Sequence, residues 1–342
     1  MSAMRQLFTS LLFILLAVVA VPALQAAASV AELTKAAEQG DAASQYGLAQ
    51  RYEAGKGVKQ DFAKAAEWYG KAAAQGHAKA QTNLGNLYRV GQGVSQDLDE
   101  ALRWYRKAAG QGDTKAQINI AMMYASGMGV EKNEAEGLKW LERAAQAGDS
   151  QAMVHLGNLY RSGKGVEKDY VQSTLWFRMA AEEGDPVAQQ NLGLSYYTGK
   201  GVTRDYAESV TWHRKAAEQG YPPAEYSMAL RYAKGKGVRQ DYAQAASWYR
   251  KAAGHGHPDA QNNLGLLYRN GQGVAQDYTE ALSWFRKAAD RGHPQAQYNL
   301  GNMYRKGLGV QQDLEEARKW FRKAADAGHK EAGKALKALE GA

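Results

Sequence analysis

Residues 160–170 read YRSGKGVEKDY, and their Gly-Lys-Gly core is typical of loops that bind phosphate. A phosphate loop follows a strand and opens a helix, because the free N–H groups of the helix then point at the anion. This stretch instead returns with a period of 36 residues, and the residue between its two glycines is lysine in only half of the copies. We therefore interpret it as a turn between helices and not as a nucleotide site. The glycine pairs are Gly55/Gly57, Gly91/Gly93, Gly127/Gly129, Gly163/Gly165, Gly199/Gly201, Gly235/Gly237, Gly271/Gly273 and Gly307/Gly309.

Two aromatic columns follow the same period. All eight tryptophans of the chain share one register, and a tyrosine fills a second register in every copy. A fixed period of this length is the mark of an array of helical pairs, since one pair cannot bury its apolar face alone. The sequence therefore predicts an all-α fold, an α-solenoid of eight 36-residue helix-turn-helix repeats. The tryptophans are Trp68, Trp104, Trp140, Trp176, Trp212, Trp248, Trp284 and Trp320, and the tyrosines are Tyr52, Tyr88, Tyr124, Tyr160, Tyr196, Tyr232, Tyr268 and Tyr304.

Each repeat reads as two helices, which we call helix A and helix B. In the second repeat Ala80, Leu84 and Tyr88 lie on one stripe of helix A, which we expect to end at a left-handed glycine. Asp97 then precedes helix B, with Glu100 three residues later in a capping-box pattern. Trp104 of helix B is predicted to fill the space between neighbouring helices. The turn before helix A carries Asp or His, and its histidines are predicted either to cap that helix or to be solvated: His77, His257, His293 and His329.

The two ends of the chain depart from the repeat. Residues 1–28 combine Arg5, an apolar run and a small-residue stretch before Ser29, which indicates a secretory signal peptide. The run is shorter than the roughly 18 residues that cross a bilayer, so we expect no stable membrane insertion after cleavage. The alternative is that the segment stays uncleaved as an anchor. Residues 29–40 are predicted to form an N-terminal capping helix, residues 41–328 the eight repeats, and residues 329–342 a C-terminal capping helix.

Composition narrows the class of protein further. The chain has no cysteine, which excludes disulfides and an acylated lipoprotein anchor. Its formal net charge of +8 is spread along the chain and favours a general attraction to anionic surfaces. We do not expect nucleic acid as a partner, because the signal peptide directs the chain away from it.

The repeat resembles a known family. Its columns Ala-x-x-x-Leu-Gly-x-x-Tyr, Gly-x-Gly-Val, Asp, Ala, Trp-Tyr and Lys-Ala-Ala-x-x-Gly are similar to the Sel-one-like repeat, a relative of the tetratricopeptide repeat, across residues 41–328. The resemblance implies a right-handed superhelix of antiparallel helix pairs that acts as an adaptor, regulator or host-factor receptor. Bacterial members like this chain are usually exported, which implies a periplasmic or secreted location in the bacterial envelope. A cysteine-rich branch is linked to β-lactamase activity, and this chain departs from that branch by having no cysteine.

No catalytic constellation accompanies the repeats. No serine is followed by lysine in the Ser-x-x-Lys spacing of penicillin-recognising enzymes, and the chain has no His-Glu-x-x-His zinc motif. We therefore predict a protein without enzymatic activity, cofactor or metal. The alternative is an exported hydrolase that acts on β-lactam or cell-wall substrates.

The face of helix A opposite the core stripe is the predicted binding surface. In the second repeat this face carries Thr82, Asn86 and Arg89, and in repeats of this family helix A is expected to line the concave side. Apolar side chains on such a face mark interaction sites, and arginines beside them pair with carboxylates. We predict that these positions bind a protein or peptide partner; the alternative is that neighbouring A helices half-bury them. The predicted residues are Ile118, Met122, Val154, Asn158, Arg161, Leu194, Tyr197, Tyr226, Leu230, Leu266, Arg269, Tyr298, Asn302 and Arg305.

Helix B carries a basic column of its own near its C-terminal end. Cations there interact favourably with the helix dipole, which is the simpler interpretation. The alternative is a basic ridge that is attracted to an anionic envelope surface. The column consists of Arg106, Arg178, Arg214, Arg250, Arg286 and Arg322.

Overall fold

The computed structural model describes residues 29–340, and the predicted signal peptide, residues 1–28, lies outside them. The described residues form eighteen α-helices and no strand, which confirms the all-α repeat prediction. Even-numbered helices from α2 to α16 are A helices, and odd-numbered helices from α3 to α17 are B helices. The helices are α1 (Val30–Glu38), α2 (Ala42–Ala54), α3 (Phe62–Ala74), α4 (Ala78–Val90), α5 (Leu98–Gly110), α6 (Thr114–Ser126), α7 (Glu134–Gln146), α8 (Ser150–Ser162), α9 (Tyr170–Glu182), α10 (Pro186–Thr198), α11 (Tyr206–Glu218), α12 (Pro222–Lys234), α13 (Tyr242–Gly254), α14 (Pro258–Asn270), α15 (Tyr278–Asp290), α16 (Pro294–Lys306), α17 (Leu314–Asp326) and α18 (Lys330–Glu340).

The helix ends follow the predicted caps. Gly91 closes α4 with a φ of 76°, a left-handed conformation that suits glycine. Asp97 accepts a hydrogen bond from the Glu100 N–H at 2.9 Å, but the Glu100 side chain pairs with Arg103 instead of returning to the cap, so the capping box is incomplete there. The histidine caps are confirmed, because each ring accepts from the N–H three residues later: His77 from Ala80, His257 from Ala260, His293 from Ala296 and His329 from Ala332.

The deepest core residues are aromatic rings of helix B that lie on glycines of helix A. Tyr105 packs so closely on Gly85 that a Cβ there would come within 2.6 Å of the ring, and Phe285 does the same over Gly265 at 2.8 Å. Trp104 is buried in the core of α2 to α5, as predicted, and the Lys107 ammonium covers its ring at 4.1 Å. The ring beside it, Tyr105, is buried completely. Both rings therefore fill the space between the helices.

The array divides into two compact units, residues 29–156 and residues 157–340. Within the second unit, the turn between helix A and helix B lies against the first turn of the preceding B helix. The second glycine of that turn, Gly237, has a φ of 78° and lies directly against the Tyr206 carbonyl group. This close approach sets the contact between successive helical pairs.

Residues 29–340 contain no helix with the length and apolarity needed to cross a membrane. In the same range, no group of three or more histidine, aspartate and glutamate side chains is placed to hold a metal ion.

Candidate functional site

Three predicted binding residues belong to the first unit. Met122 on α6 is 56% exposed and is available to a partner. Ile118, one turn earlier, is only 8% exposed, so the expectation that it faces outward is corrected. Val154 on α8 is half-buried. In this unit, the predicted surface is therefore reduced to Met122 and the edge of Val154.

The position of Ile118 is buried because side chains there reach toward the next helical pair. In α4 the equivalent Thr82 hydroxyl donates to Asp113 at 3.1 Å, ahead of α6. In the second unit the equivalent Gln190 on α10 donates to Ser227 on α12 at 3.0 Å. The column thus joins neighbouring A helices, which is the alternative interpretation considered for it.

The apolar members in the second unit are half-buried for a related reason. Tyr226 stacks on His257 with ring centroids 4.5 Å apart, and Leu230 packs with it against the α11–α14 core. Leu266 packs against the core of α15 to α18. Leu194 is half-buried as well. These side chains lie at the edge of the core and do not form an open apolar patch.

Four of the predicted residues meet in one cleft of the second unit. The cleft lies between the A helices α14 and α16, beside the start of α15, and has a volume of about 550 Å³. We call it the α14–α16 cleft. Its lining consists of Arg269, Asn270, Gln276, Tyr278, Tyr298, Asn299, Asn302, Met303, Arg305, Lys306 and Leu308.

The charged groups of the α14–α16 cleft are all hydrogen-bond donors. Arg305 donates to Asn302 Oδ1 at 3.0 Å, while its buried Nε has no hydrogen-bond partner among the described residues. Arg269 donates through Nε to the Asn270 side chain at 3.1 Å. Lys306 adds a third cation, and the lining contains no carboxylate. This arrangement is suited to an anionic group, which guanidinium groups bind with strong, directional hydrogen bonds.

Asn158 and Arg161 form a second pair of the same kind on α8. Arg161 donates to Asn158 Oδ1 at 2.6 Å and to Asn191 Oδ1 on α10 at 2.8 Å. The exposed guanidinium lies 5.5 Å from the Phe177 ring centroid. The arginine is thus held in place by the next A helix, as part of the surface.

Tyr197 is held by residues that sequence reasoning missed. The Arg231 guanidinium, buried on α12, lies 3.4 Å from the Tyr197 ring centroid. Beside it is His213, a buried residue of α11 whose pKa is lowered to about 3 by burial and then by the charge of Arg231. The sequence carried a signal, because both residues depart from their columns. Leu267 occupies the position of Arg231 in the next repeat, and Phe285 occupies the position of His213 two repeats further along the chain.

The basic column of helix B has a structural role. Five of its six guanidinium groups donate to the tyrosine hydroxyl 18 residues later on the following A helix, which ties helix B to the next repeat. These hydrogen bonds join Arg106 to Tyr124 at 3.2 Å, Arg178 to Tyr196 at 2.8 Å, Arg214 to Tyr232 at 3.1 Å, Arg250 to Tyr268 at 2.9 Å, and Arg286 to Tyr304.

Glu225 on α12 occupies a position that glutamine fills in most repeats. In the preceding repeat the equivalent Gln189 is buried and donates to the Ala181 carbonyl oxygen at 3.2 Å. An ionised Glu225 has no proton to donate, and its Oε2 is buried without a hydrogen-bond partner among the described residues. Burial raises the pKa of the Glu225 carboxyl, although His255 and Lys251 oppose the shift.

We expect Glu225→Gln to stabilise the protein at pH 7 by about 1–2 kcal/mol, the usual penalty of an unsatisfied buried polar group. Because the folded-state pKa is raised, the protonated form favours the folded state, and this stability is lost as pH rises through the folded pKa. The advantage of glutamine should therefore disappear below the unfolded pKa. Urea unfolding at several pH values measures the difference in the free energy of unfolding between the two proteins. Gln189→Glu is the reverse exchange and should lower that free energy at pH 7. An equal advantage at every pH would contradict the account.

Comparison with known proteins agrees with the repeat pattern. The family model described as Sel1 repeat matches residues 42–77, 78–113, 114–149, 150–185, 186–221, 222–257, 258–293 and 294–329. The crystal structure of c5321, described as a protective antigen present in uropathogenic Escherichia coli strains and displaying an SLR fold, is 37% identical, with 91% of this chain and 67% of that chain covered and a TM-score of 0.77. A Sel1 repeat protein from Oxalobacter formigenes is 38% identical, with 91% and 90% covered and a TM-score of 0.68. No curated protein matches the chain. With eight matched segments in tandem, the chain belongs to the Sel1 repeat family.

Proposed function

We propose that this chain is a non-catalytic binding protein that captures a partner protein by an acidic peptide segment, held in the α14–α16 cleft. The observation that carries the proposal is the meeting of Arg269, Arg305 and Lys306 in one cleft whose lining contains no carboxylate. Without an anion, these three cations lie in one cleft with no lining carboxylate to offset their mutual repulsion. A carboxylate-bearing ligand relieves that repulsion and gains charge-assisted hydrogen bonds.

The remaining lining suits a peptide better than a small inorganic anion. The side chains of Asn270, Asn302 and Gln276 offer amide groups that can pair with a peptide backbone. Tyr278 and Tyr298 add ring surface on which apolar side chains of a peptide can pack. The cleft volume of about 550 Å³ accommodates a few residues and not a folded domain.

The family supports a role in binding. Arrays of helical repeats present extended surfaces built from equivalent positions of successive repeats, and such surfaces are used for recognition. The similar c5321 is described as an antigen, a description that names no reaction. Both points favour a binding function over catalysis for this chain.

Selection from a phage-displayed library of random peptides tests the proposal. At about 0.15 M salt, where weak surface attraction is screened, we expect the purified protein to enrich peptides with two or more Asp or Glu residues. The double variant Arg269→Glu/Arg305→Glu, with its helicity checked by circular dichroism, should not enrich them. Enrichment of neutral or basic peptides, or the same acidic peptides with both proteins, would overturn the proposal.

A further inference from the structure

Helix α9 exposes an apolar stripe that no other B helix has. Val171, Leu175 and Met179 are 56%, 48% and 45% exposed. They are spaced four residues apart and therefore lie along one face of the helix. Exposed apolar side chains are common singly, but three in line on one helix are typical of a contact surface.

The fold itself does not require this stripe. The position of Met179 is Lys or Arg in all seven remaining repeats. There the cation covers the tryptophan ring three residues earlier, as Lys215 covers Trp212 at 4.0 Å. The position of Leu175 is polar or charged in the other seven repeats. Helix α9 is also the one B helix of the described residues without a basic residue in its last turn, so it lacks a favourable interaction with the helix dipole. Stability is given up locally, which indicates that the stripe serves another contact.

On the next two B helices of the second unit, α11 and α13, the positions equivalent to Val171 and Leu175 leave room for such a contact. On α11 they are the exposed Ala207 and Thr211, and on α13 they are the exposed Ala243 and Ser247. Short side chains let an opposing helix approach closely. Val171 and Leu175 therefore stand out beside α11 and α13, where only the third equivalent position carries a long side chain, Lys215 or Lys251.

The charges at the two ends of the stripe favour a second copy of this chain as the occupant. At the N-terminal end, the exposed Lys168 and Lys200 lie over the Tyr170 ring, 5.0 and 5.2 Å from its centroid, beside the exposed Glu167. At the C-terminal end are the exposed Glu182 and Glu183. A copy of α9 that runs antiparallel brings the lysine end of each helix to the glutamate end of the other. The stripe is thus complementary to itself in both shape and charge, as a two-fold contact requires.

We propose that this protein forms a two-fold dimer in which the α9 helices of two copies pack antiparallel along Val171, Leu175 and Met179. The dimer contact lies on a B helix, whereas the α14–α16 cleft lies between A helices of the same unit. The two surfaces therefore share no residues. A single stripe buries less surface than a standard protein interface, so we expect a dissociation constant of the order of 10 µM.

Sedimentation velocity of the purified protein between about 1 and 200 µM tests the dimer, since this range brackets the expected constant. The triple variant Val171→Ala/Leu175→Thr/Met179→Lys carries the residues that α11 has at these positions, Ala207, Thr211 and Lys215. We expect it to keep its helicity and melting temperature and to dimerise at least about tenfold more weakly. Leu314→Lys, which changes an exposed apolar residue of α17, is the matched control and should dimerise as the unchanged protein does.

Charge reversal tests the antiparallel arrangement. Lys168→Glu alone and Glu182→Lys/Glu183→Lys alone should each weaken the dimer, because each places like charges together. Their combination should restore it. The proposal is overturned if the protein stays monomeric up to the highest concentration, if the triple variant dimerises as before, or if the combined reversal fails to restore the dimer, which would indicate a different protein as the occupant of the stripe.

Discussion

Replacing Gly237 with alanine should lower the free energy of unfolding by about 3 kcal/mol. Two costs add up: a left-handed backbone conformation costs a residue with a Cβ about 1–2 kcal/mol, and overpacking adds about 1–3 kcal/mol. Both apply here, since Gly237 has a φ of 78° and its added Cβ would overlap the carbonyl oxygen of Tyr206 at the start of α11. Urea unfolding followed by circular dichroism measures the loss.

Gly220→Ala separates these two costs. Gly220 has a φ of 77°, almost the same as that of Gly237, but an added Cβ would have no atom within 4 Å. Gly220→Ala should therefore lower the free energy of unfolding only by the conformational cost, about 1 kcal/mol. If both variants lost the same amount, the contact of the turn with the preceding helical pair would not explain the glycine, and the account of how successive pairs are joined would be wrong.

Arg305→Glu should weaken the binding of a selected acidic peptide about 100-fold. The substitution removes a charge-assisted contact and places a carboxylate in the cleft, and truncating or reversing one partner of a close charge pair costs about 2–5 kcal/mol. Arg305 is the strongest candidate because it lines the cleft and its Nη2 is held in place by Asn302. Fluorescence polarisation of a labelled peptide measures the affinity.

Arg239→Glu is the matched control for that experiment. Arg239 is an exposed arginine of the turn before α13 and does not line the cleft. The Arg239→Glu substitution makes the same change in net charge as Arg305→Glu. It should alter the affinity for the peptide by less than about threefold at 0.15 M salt, where distant surface charges are screened. Equal losses in both variants would mean that net charge, and not the cleft, governs binding.

The fold was predictable because its determinants are local and repeated. Gly91, Asp97 and His77 act on the backbone within three or four residues, so their roles follow from position alone. Repetition at 36 residues then removes the ambiguity that a single turn such as residues 160–170 leaves. Trp104 was assigned to the core correctly, but the close packing of Tyr105 on Gly85 is a detail that spacing does not contain.

The candidate site was predictable only in part. Helical spacing placed Ile118 and Arg305 on the same face, but it does not show which positions on that face touch the next A helix. Ile118 is buried by that contact, while Arg305 remains at a cleft. Arg231 and Glu225 were missed because each column of the repeat was treated as uniform. Each of these two residues differs from the residue type typical of its column, and that difference marked the position.

Photo-cross-linking tests the central claim, that an acidic peptide is held between α14 and α16, most directly. A selected peptide that carries a benzophenone group next to its acidic residues is irradiated with the purified protein, and the attachment sites are found by mass spectrometry. The account predicts attachment within residues 269–308, which contain the lining of the cleft, and its loss in Arg269→Glu/Arg305→Glu. Attachment to the B helices outside that range, or to residues 29–156, would contradict it.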